Sequence, residues 1–235
     1  MWQRMNWKNI DPFPLMGEWL TPENSIALDL SVNNGSLNKS IYGNLDAFHA
    51  YIEGQLKDAN VLYGHGGYLE NRIVYNVFDN FATSDEHRSI HLGIDVWSDA
   101  GKPVYAPIEG RIHSYQINEG AGNYGPTIIL EHKMEGAQLY SLYGHLKTTD
   151  LDELFVGKII PKGTLLCHLG ETHENGQWPP HLHFQLMYDM EGWKGDYPGV
   201  CSKKDRMHYA QNCPDPAACI FLSHLDRIFL NCTAK

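Results

Sequence analysis

Two different periods of apolar and polar positions run along this chain. Over residues 44–60, NLDAFHAYIEGQLKDAN, the apolar side chains Leu45, Phe48, Ile52 and Leu56 recur at steps of three and four. That spacing gathers them on one stripe of a helix, with Asn44 placed to cap its start. Upstream, residues 1–40 hold no sustained period and contain turn-forming stretches such as Ser31-Val32-Asn33-Asn34-Gly35-Ser36. Downstream, Gly64-His65-Gly66-Gly67 reads as a turn leading into a strand-like run around Ile73-Val74-Tyr75.

From about residue 87 the texture changes to short strand-like runs. GIDVW, PVYAP, GRIHSYQI, TIILEH, QLYSLYGHL, GTLLCHL and HLHFQLMY follow one another, separated by Gly, Pro and Asn. Such a series predicts a unit of short antiparallel strands. Residues 190–216 read as a long loop, and residues 217–230, AACIFLSHLDRIFL, as a helix with Asp215 or Pro216 near its start. The expected organisation is an N-terminal extension with one amphipathic helix (1–86), a β core (87–190), and a loop with a C-terminal helix packed on that core (191–235). There is no internal repeat.

Composition narrows the class. Of 235 residues, 43% are hydrophobic and 20% charged, which excludes collagen, coiled coil and wholesale disorder. A net charge of −10 argues against nucleic acid or an anionic membrane as a partner held by bulk electrostatics. No apolar run reaches the roughly 20 residues needed to span a bilayer. The N-terminus has no charged-then-apolar run, so a cytoplasmic chain is expected, with export after removal of a leader as the alternative. Five cysteines, an odd number without a C-x-x-C pair, are expected to be free thiols; disulfides in an exported protein are the alternative.

Three of the histidine arrangements carry candidate chemistry. His91-Leu92-Gly93-Ile94-Asp95 sets an imidazole and a carboxylate at an even spacing, which shares a face in extended chain. His181-Leu182-His183-Phe184-Gln185 alternates polar and apolar, so His181, His183 and Gln185 share one face of a half-buried strand. Tyr143-Gly144-His145-Leu146 puts a histidine at a strand end. Each alone is weak, since satisfied or exposed histidines are common. Together His91, Asp95 and His183 supply the three protein ligands of a catalytic zinc site, and His145 and His181 remain as bases.

These motifs, in this order, resemble the M23 metallopeptidases, the lysostaphin-like or LytM-like zinc endopeptidases. The resemblance covers about residues 85–190 and includes the flanks IHLGIDVWSDAGKPVYAPIEGRI, GKIIPKGTLLCHLG and PPHLHFQL. LDLSV, GGYLENRIVY, ENGQWPPHLHFQ and GDYPGV are similar to segments of the M23-type domain in bacterial fusion proteins with class III aminotransferase and kinase-like domains. The resemblance implies a mainly β fold: an antiparallel barrel-sandwich core joined to the α/β extension and the C-terminal helix. It implies one zinc per chain on His91, Asp95 and His183, with His145 and His181 flanking the activated water. It implies a peptide or peptidoglycan-fragment substrate. The missing export signal, the missing wall-binding module and the charge of −10 depart from a typical wall hydrolase; they leave the expected zinc chemistry intact and open the substrate to a small peptide or amide as well.

Other residues stand beside these. Residues 66–72 could reach over the metal, with Asn71 or Glu70 as oxygen donor; a plain surface turn is the competing expectation. Trp178 and the loop at residues 120–125 are candidates for the groove wall, and Gln185 for a hydrogen bond behind His183. His87, His132, His168 and His173 receive no metal role. A non-catalytic M23-like binding or regulatory module is the alternative function, and a lipoyl-like or phosphocarrier domain a third.

Overall fold

The computed structural model describes residues 10–77, 81, 87–134 and 137–222. Among them, twelve strands follow in chain order: β1 (Ser25–Leu28), β2 (Tyr63–Gly66), β3 (Ile90–His91), β4 (Ile94–Trp97), β5 (Pro103–Tyr105), β6 (Gly110–Asn118), β7 (Gly125–Met134), β8 (Ala137–Gly144), β9 (Ile159–Ile160), β10 (Leu165–His168), β11 (His181–Met187) and β12 (Val200–Cys201). Three α-helices accompany them among the described residues: α1 (Lys39–Tyr42), α2 (Leu45–Ala59) and α3 (Arg206–Asn212). Eight strands form one sheet in the order β1-β2-β4-β11-β8-β7-β6-β9. Every pairing in it is antiparallel except β1 with β2. The short pairs β5–β10 and β3–β12 lie outside that sheet.

The extension is joined to the core by hydrogen bonds. Its β2 pairs with β4, so Gly66 stands opposite Asp95. Helix α2 follows the expected pattern. The Asn44 side chain accepts from the Ala47 N–H, Asn60 ends the helix in the left-handed region, and Phe48 and Ile52 are the residues it buries. Phe48 packs edge-on against Trp97 of β4 and Trp178, so the apolar stripe of α2 docks beside the core strands.

Several expectations need correction. Gly64-His65-Gly66 is strand β2, not a turn. The glycines are there because a Cβ at 64 would collide with Leu28 and one at 66 with Arg72. Around Ile73-Val74-Tyr75 the chain forms a 3-10 turn, Val74–Val77, rather than a strand. Strand β11 is buried on both faces rather than one, because the second face meets the candidate site instead of solvent. The stretch expected to be one long loop contains β12 and the short helix α3. Of the helix expected over 217–230, the described part is a 3-10 turn, Pro216–Cys219, capped by the Asp215 carboxylate; residues 223–230 lie outside the described residues.

Candidate metal centre

Strand β11 is the axis of the site. One edge pairs with β4, which sets His183 opposite Asp95; the other pairs with β8, which sets His183 opposite Gly144 and brings His145 to the same place. His91 precedes β4 and reaches across the bend at Gly93, where a Cβ would strike the His183 ring. The donor atoms converge. Asp95 Oδ1 lies 3.2 Å from His91 Nε2 and 3.1 Å from His183 Nδ1, and the two nitrogens are 2.9 Å apart. These three form the His/Cys/Asp/Glu group among the described residues able to hold a metal ion.

Hydrogen bonds behind the rings fix which nitrogen faces the centre. A carbonyl oxygen can only accept, so His91 Nδ1 donates to Gly67 O at 3.1 Å and keeps its lone pair on Nε2. His183 Nε2 donates to Gln185 Oε1 at 3.0 Å and keeps its lone pair on Nδ1. Gln185 is held by donating its own amide N–H to Pro198 O. Two imidazole nitrogens and one carboxylate oxygen, all deprotonated and convergent, fit a borderline divalent ion such as zinc.

The remaining two histidines lie side by side next to this cluster, their rings tilted by 34°. Their ring centroids are 4.1 Å apart, and Trp97 covers the other face of His181 at 4.0 Å and 18°. His145 Nδ1 donates to Asn175 O and His181 Nδ1 to Pro179 O, each at 2.8 Å. Both therefore carry the lone pair on Nε2, and that of His181 lies 3.9 Å from Asp95 Oδ1. His145 adopts a left-handed backbone, φ +66°, held by its N–H to Tyr124 O and by its carbonyl accepting the Gly170 N–H.

Burial shapes the titration of the cluster. It drives His91 and His181 down to about 4 and His145 well below the ordinary histidine range. Burial alone would raise Asp95, but its neighbours His91 and Arg72 hold it well below the carboxylate range.

Arg72 is the feature the sequence did not signal. It is 2% exposed, donates from Nη1 to Asp95 Oδ2, and from Nε to Glu70 Oε2 at 2.7 Å. Glu70 is anchored in turn by the Leu30 N–H. Segment 66–72 thus lies against the centre, with Leu69 and Glu70 exchanging backbone hydrogen bonds with His91. Of the expected oxygen donors, Glu70 is spent on Arg72 and Leu30, whereas the Asn71 side-chain oxygen is buried without a hydrogen-bond partner. The segment is not a plain surface turn, because it is hydrogen-bonded directly to His91. No isolated sequence pattern marks Arg72, because its partner lies 23 positions away.

A cavity of about 290 Å³ opens onto Asp95, His145, His181 and His183. Trp178 and the loop at residues 122–124 line it, as expected of groove-wall residues. His132 is structural, bonded to Glu109 O and Ser141 Oγ. His168 pairs with Asp150, and His173 lines a different cavity. Cys167, Cys201, Cys213 and Cys219 are free and buried; Cys232 lies outside the described residues. No helix among the described residues is long and apolar enough to cross a membrane.

The antiparallel scaffold brings two histidines and one aspartate together in a buried group that could hold a metal ion. Residues 89–195, which include all five residues of the centre, match the sequence model of Peptidase family M23. Among solved structures, the chain is similar to the catalytic domain of the antimicrobial peptidase lysostaphin from Staphylococcus simulans: 21% identity, 66% of this chain and 96% of that one, TM-score 0.40. It is similar to a zinc containing peptidase from Vibrio cholerae, at 24% identity and TM-score 0.33, over 44% of this chain and 29% of that one. A third is the catalytic domain, in a mutant form, of the prophage-encoded M23 protein EnpA from Enterococcus faecalis, at 20% identity and TM-score 0.35, over 51% of this chain and 98% of that one. The alignment thus spans under a third of the Vibrio cholerae peptidase. No curated protein matches the chain.

Proposed function

We propose that this chain is a zinc-dependent peptidase that hydrolyses an amide bond in a short peptide or peptidoglycan-type fragment. The observation that carries the proposal is the convergence of His91 Nε2, Asp95 Oδ1 and His183 Nδ1 beside a close pair of histidines whose Nδ1 atoms are held by backbone carbonyls. The M23 match over residues 89–195 supports the same reading. A binding module on this scaffold would have no need of the two unoccupied bases.

His91, Asp95 and His183 would hold one ion. When bound, it supplies Lewis-acid polarisation of the amide carbonyl and lowers the pKa of water. The chain supplies the rest. His181 and His145 each offer an unprotonated Nε2, so either can take the proton of the attacking water, and the imidazolium so formed stabilises the developing oxyanion. The collected proton passes to the leaving amine. Backbone carbonyls of Pro179 and Asn175 keep both rings from turning. Trp97 shields one face of His181 from water.

The test is metal analysis of the purified protein beside Asp95→Ala, followed by hydrolysis of a short-peptide library. About one zinc per chain, lost in the variant, with metal-dependent amine release, is the expected result. A chain that takes up no zinc, or a loaded chain that releases no amine from any peptide or peptidoglycan fragment, overturns the proposal.

A further inference from the structure

The cavity over the proposed catalytic pair has a wall that the chemistry does not require. Phe48, Tyr75 and Phe81 line it from the extension, Trp97 and Trp178 from the core, and Trp193 from the loop after β11. The first three lie outside the segment that matches the M23 family, so half of this wall comes from the extension rather than from that segment. Trp193 is 45% exposed although it borders the cavity. A large aromatic left half in water beside a reactive site gains most from a ligand that covers it.

The charged groups lining the cavity are already engaged. Arg72 is shared between Asp95 and Glu70, the Arg88 guanidinium lies 5.5 Å over the Phe81 ring, and Asp196 accepts the Tyr197 N–H at 2.7 Å. The rings supply the larger, apolar part of the lining. The volume, about 290 Å³, sits at the small end of the roughly 300–1,000 Å³ typical of small-ligand sites. That suits one bulky side chain with its flanking backbone. A glycine segment would leave the wall uncovered.

Resting on the peptidase reading above, we infer that this site selects short peptides with a bulky apolar, best aromatic, side chain beside the scissile amide, and discriminates against glycine. The cavity is a subsite for that side chain, and Trp193 closes over it from the rim.

The experiment uses the zinc-loaded full chain and N-acetylated Gly-Xaa-Gly amides with Xaa as Gly, Leu or Phe. Hydrolysis is read by amine release. Binding is read by tryptophan fluorescence with reduced-amide analogues, which cannot be cleaved. Phe and Leu are expected to bind on the order of tenfold or more tighter than Gly, and to be cleaved with a correspondingly higher kcat/KM. Trp193→Ala should shrink the Phe-to-Gly binding ratio several-fold with zinc content unchanged. Selective binding without hydrolysis supports the subsite and overturns the peptidase reading. Hydrolysis with Gly bound or cleaved as well as Phe overturns the subsite and leaves the peptidase reading standing. A Phe-to-Gly ratio unchanged by Trp193→Ala overturns the role of the rim. Neither binding nor hydrolysis overturns both readings.

Discussion

Arg72 donates to Oδ2 of Asp95, so this carboxylate meets the two histidines through Oδ1 alone. The guanidinium is a planar fork, and its Nε is fixed by Glu70 at 2.7 Å, which leaves Nη1 little freedom to swing away. The arginine and its anchor both come from the extension, ahead of the segment that matches the M23 family. The orientation of the Asp95 carboxylate in the core is therefore set by a chain segment outside it.

Replacing Arg72 by Lys keeps a positive charge and loses the fork. Zinc affinity should fall by about 10–100-fold, the usual cost of losing a partner behind a metal ligand. Competition against a chelator of known affinity measures it, with a thermal melt of the metal-free protein as the folding control. Equal or tighter binding in a folded Arg72→Lys protein would show that Arg72 does not orient Asp95.

Ligands and bases should separate by mutation. His183→Ala is expected to lose both metal and activity. His181→Ala and His145→Ala should each retain metal and lose on the order of 10²–10⁴-fold in kcat. Parallel zinc analysis and peptide kinetics decide it. Zinc loss from His181→Ala equal to that from His183→Ala would sink the division.

Acid stability should report on His65, far from the ligands in sequence. Burial against Phe221 pushes its pKa down to about 4. Below about pH 6.5 the unfolded chain binds a proton that the folded chain excludes, so stability falls as pH is lowered from about 6.5 towards 4. The contribution is on the order of 3 kcal/mol across that window. Denaturant unfolding of the metal-free protein at several pH values should show a shallower slope for His65→Phe. An identical slope in the variant would contradict the assignment.

Phe48→Ala tests how the extension is held. Phe48 is fully buried between Trp97 and Trp178, and its truncation should cost about 3–5 kcal/mol. Equilibrium unfolding measures the loss. A cost under about 1 kcal/mol, well below that range, would mean that α2 contributes little to the fold.

Much of the molecule was readable one segment at a time. The steps of three and four in 44–60, with Asn44 ahead of them, give α2 and its cap. Seven short runs after residue 87 give the antiparallel core. Gly64-His65-Gly66 misled because glycines favour turns when only neighbours in sequence are considered. Here they are strand residues made small by Leu28 and Arg72 packing onto them. The strand expected around Val74 failed for a related reason: Val74 and Tyr75 are buried from a 3-10 turn, where apolar residues need no alternation.

The sequence by itself determined which groups could do chemistry and in what order they lie. Imidazole, carboxylate and strand period are local properties, and His91, Asp95, His145, His181 and His183 stand out on those grounds. The tertiary structure alone decided how they are arranged. The register of β11 against β4 and β8 puts His183 opposite Asp95 and Gly144. The lone pairs face the centre because Gly67, Asn175, Pro179 and Gln185 accept from the opposite nitrogens. Arg72 selects the oxygen of Asp95 that points inward. Register and hydrogen-bond direction depend on groups brought together from distant parts of the chain, and no local pattern of residues encodes them.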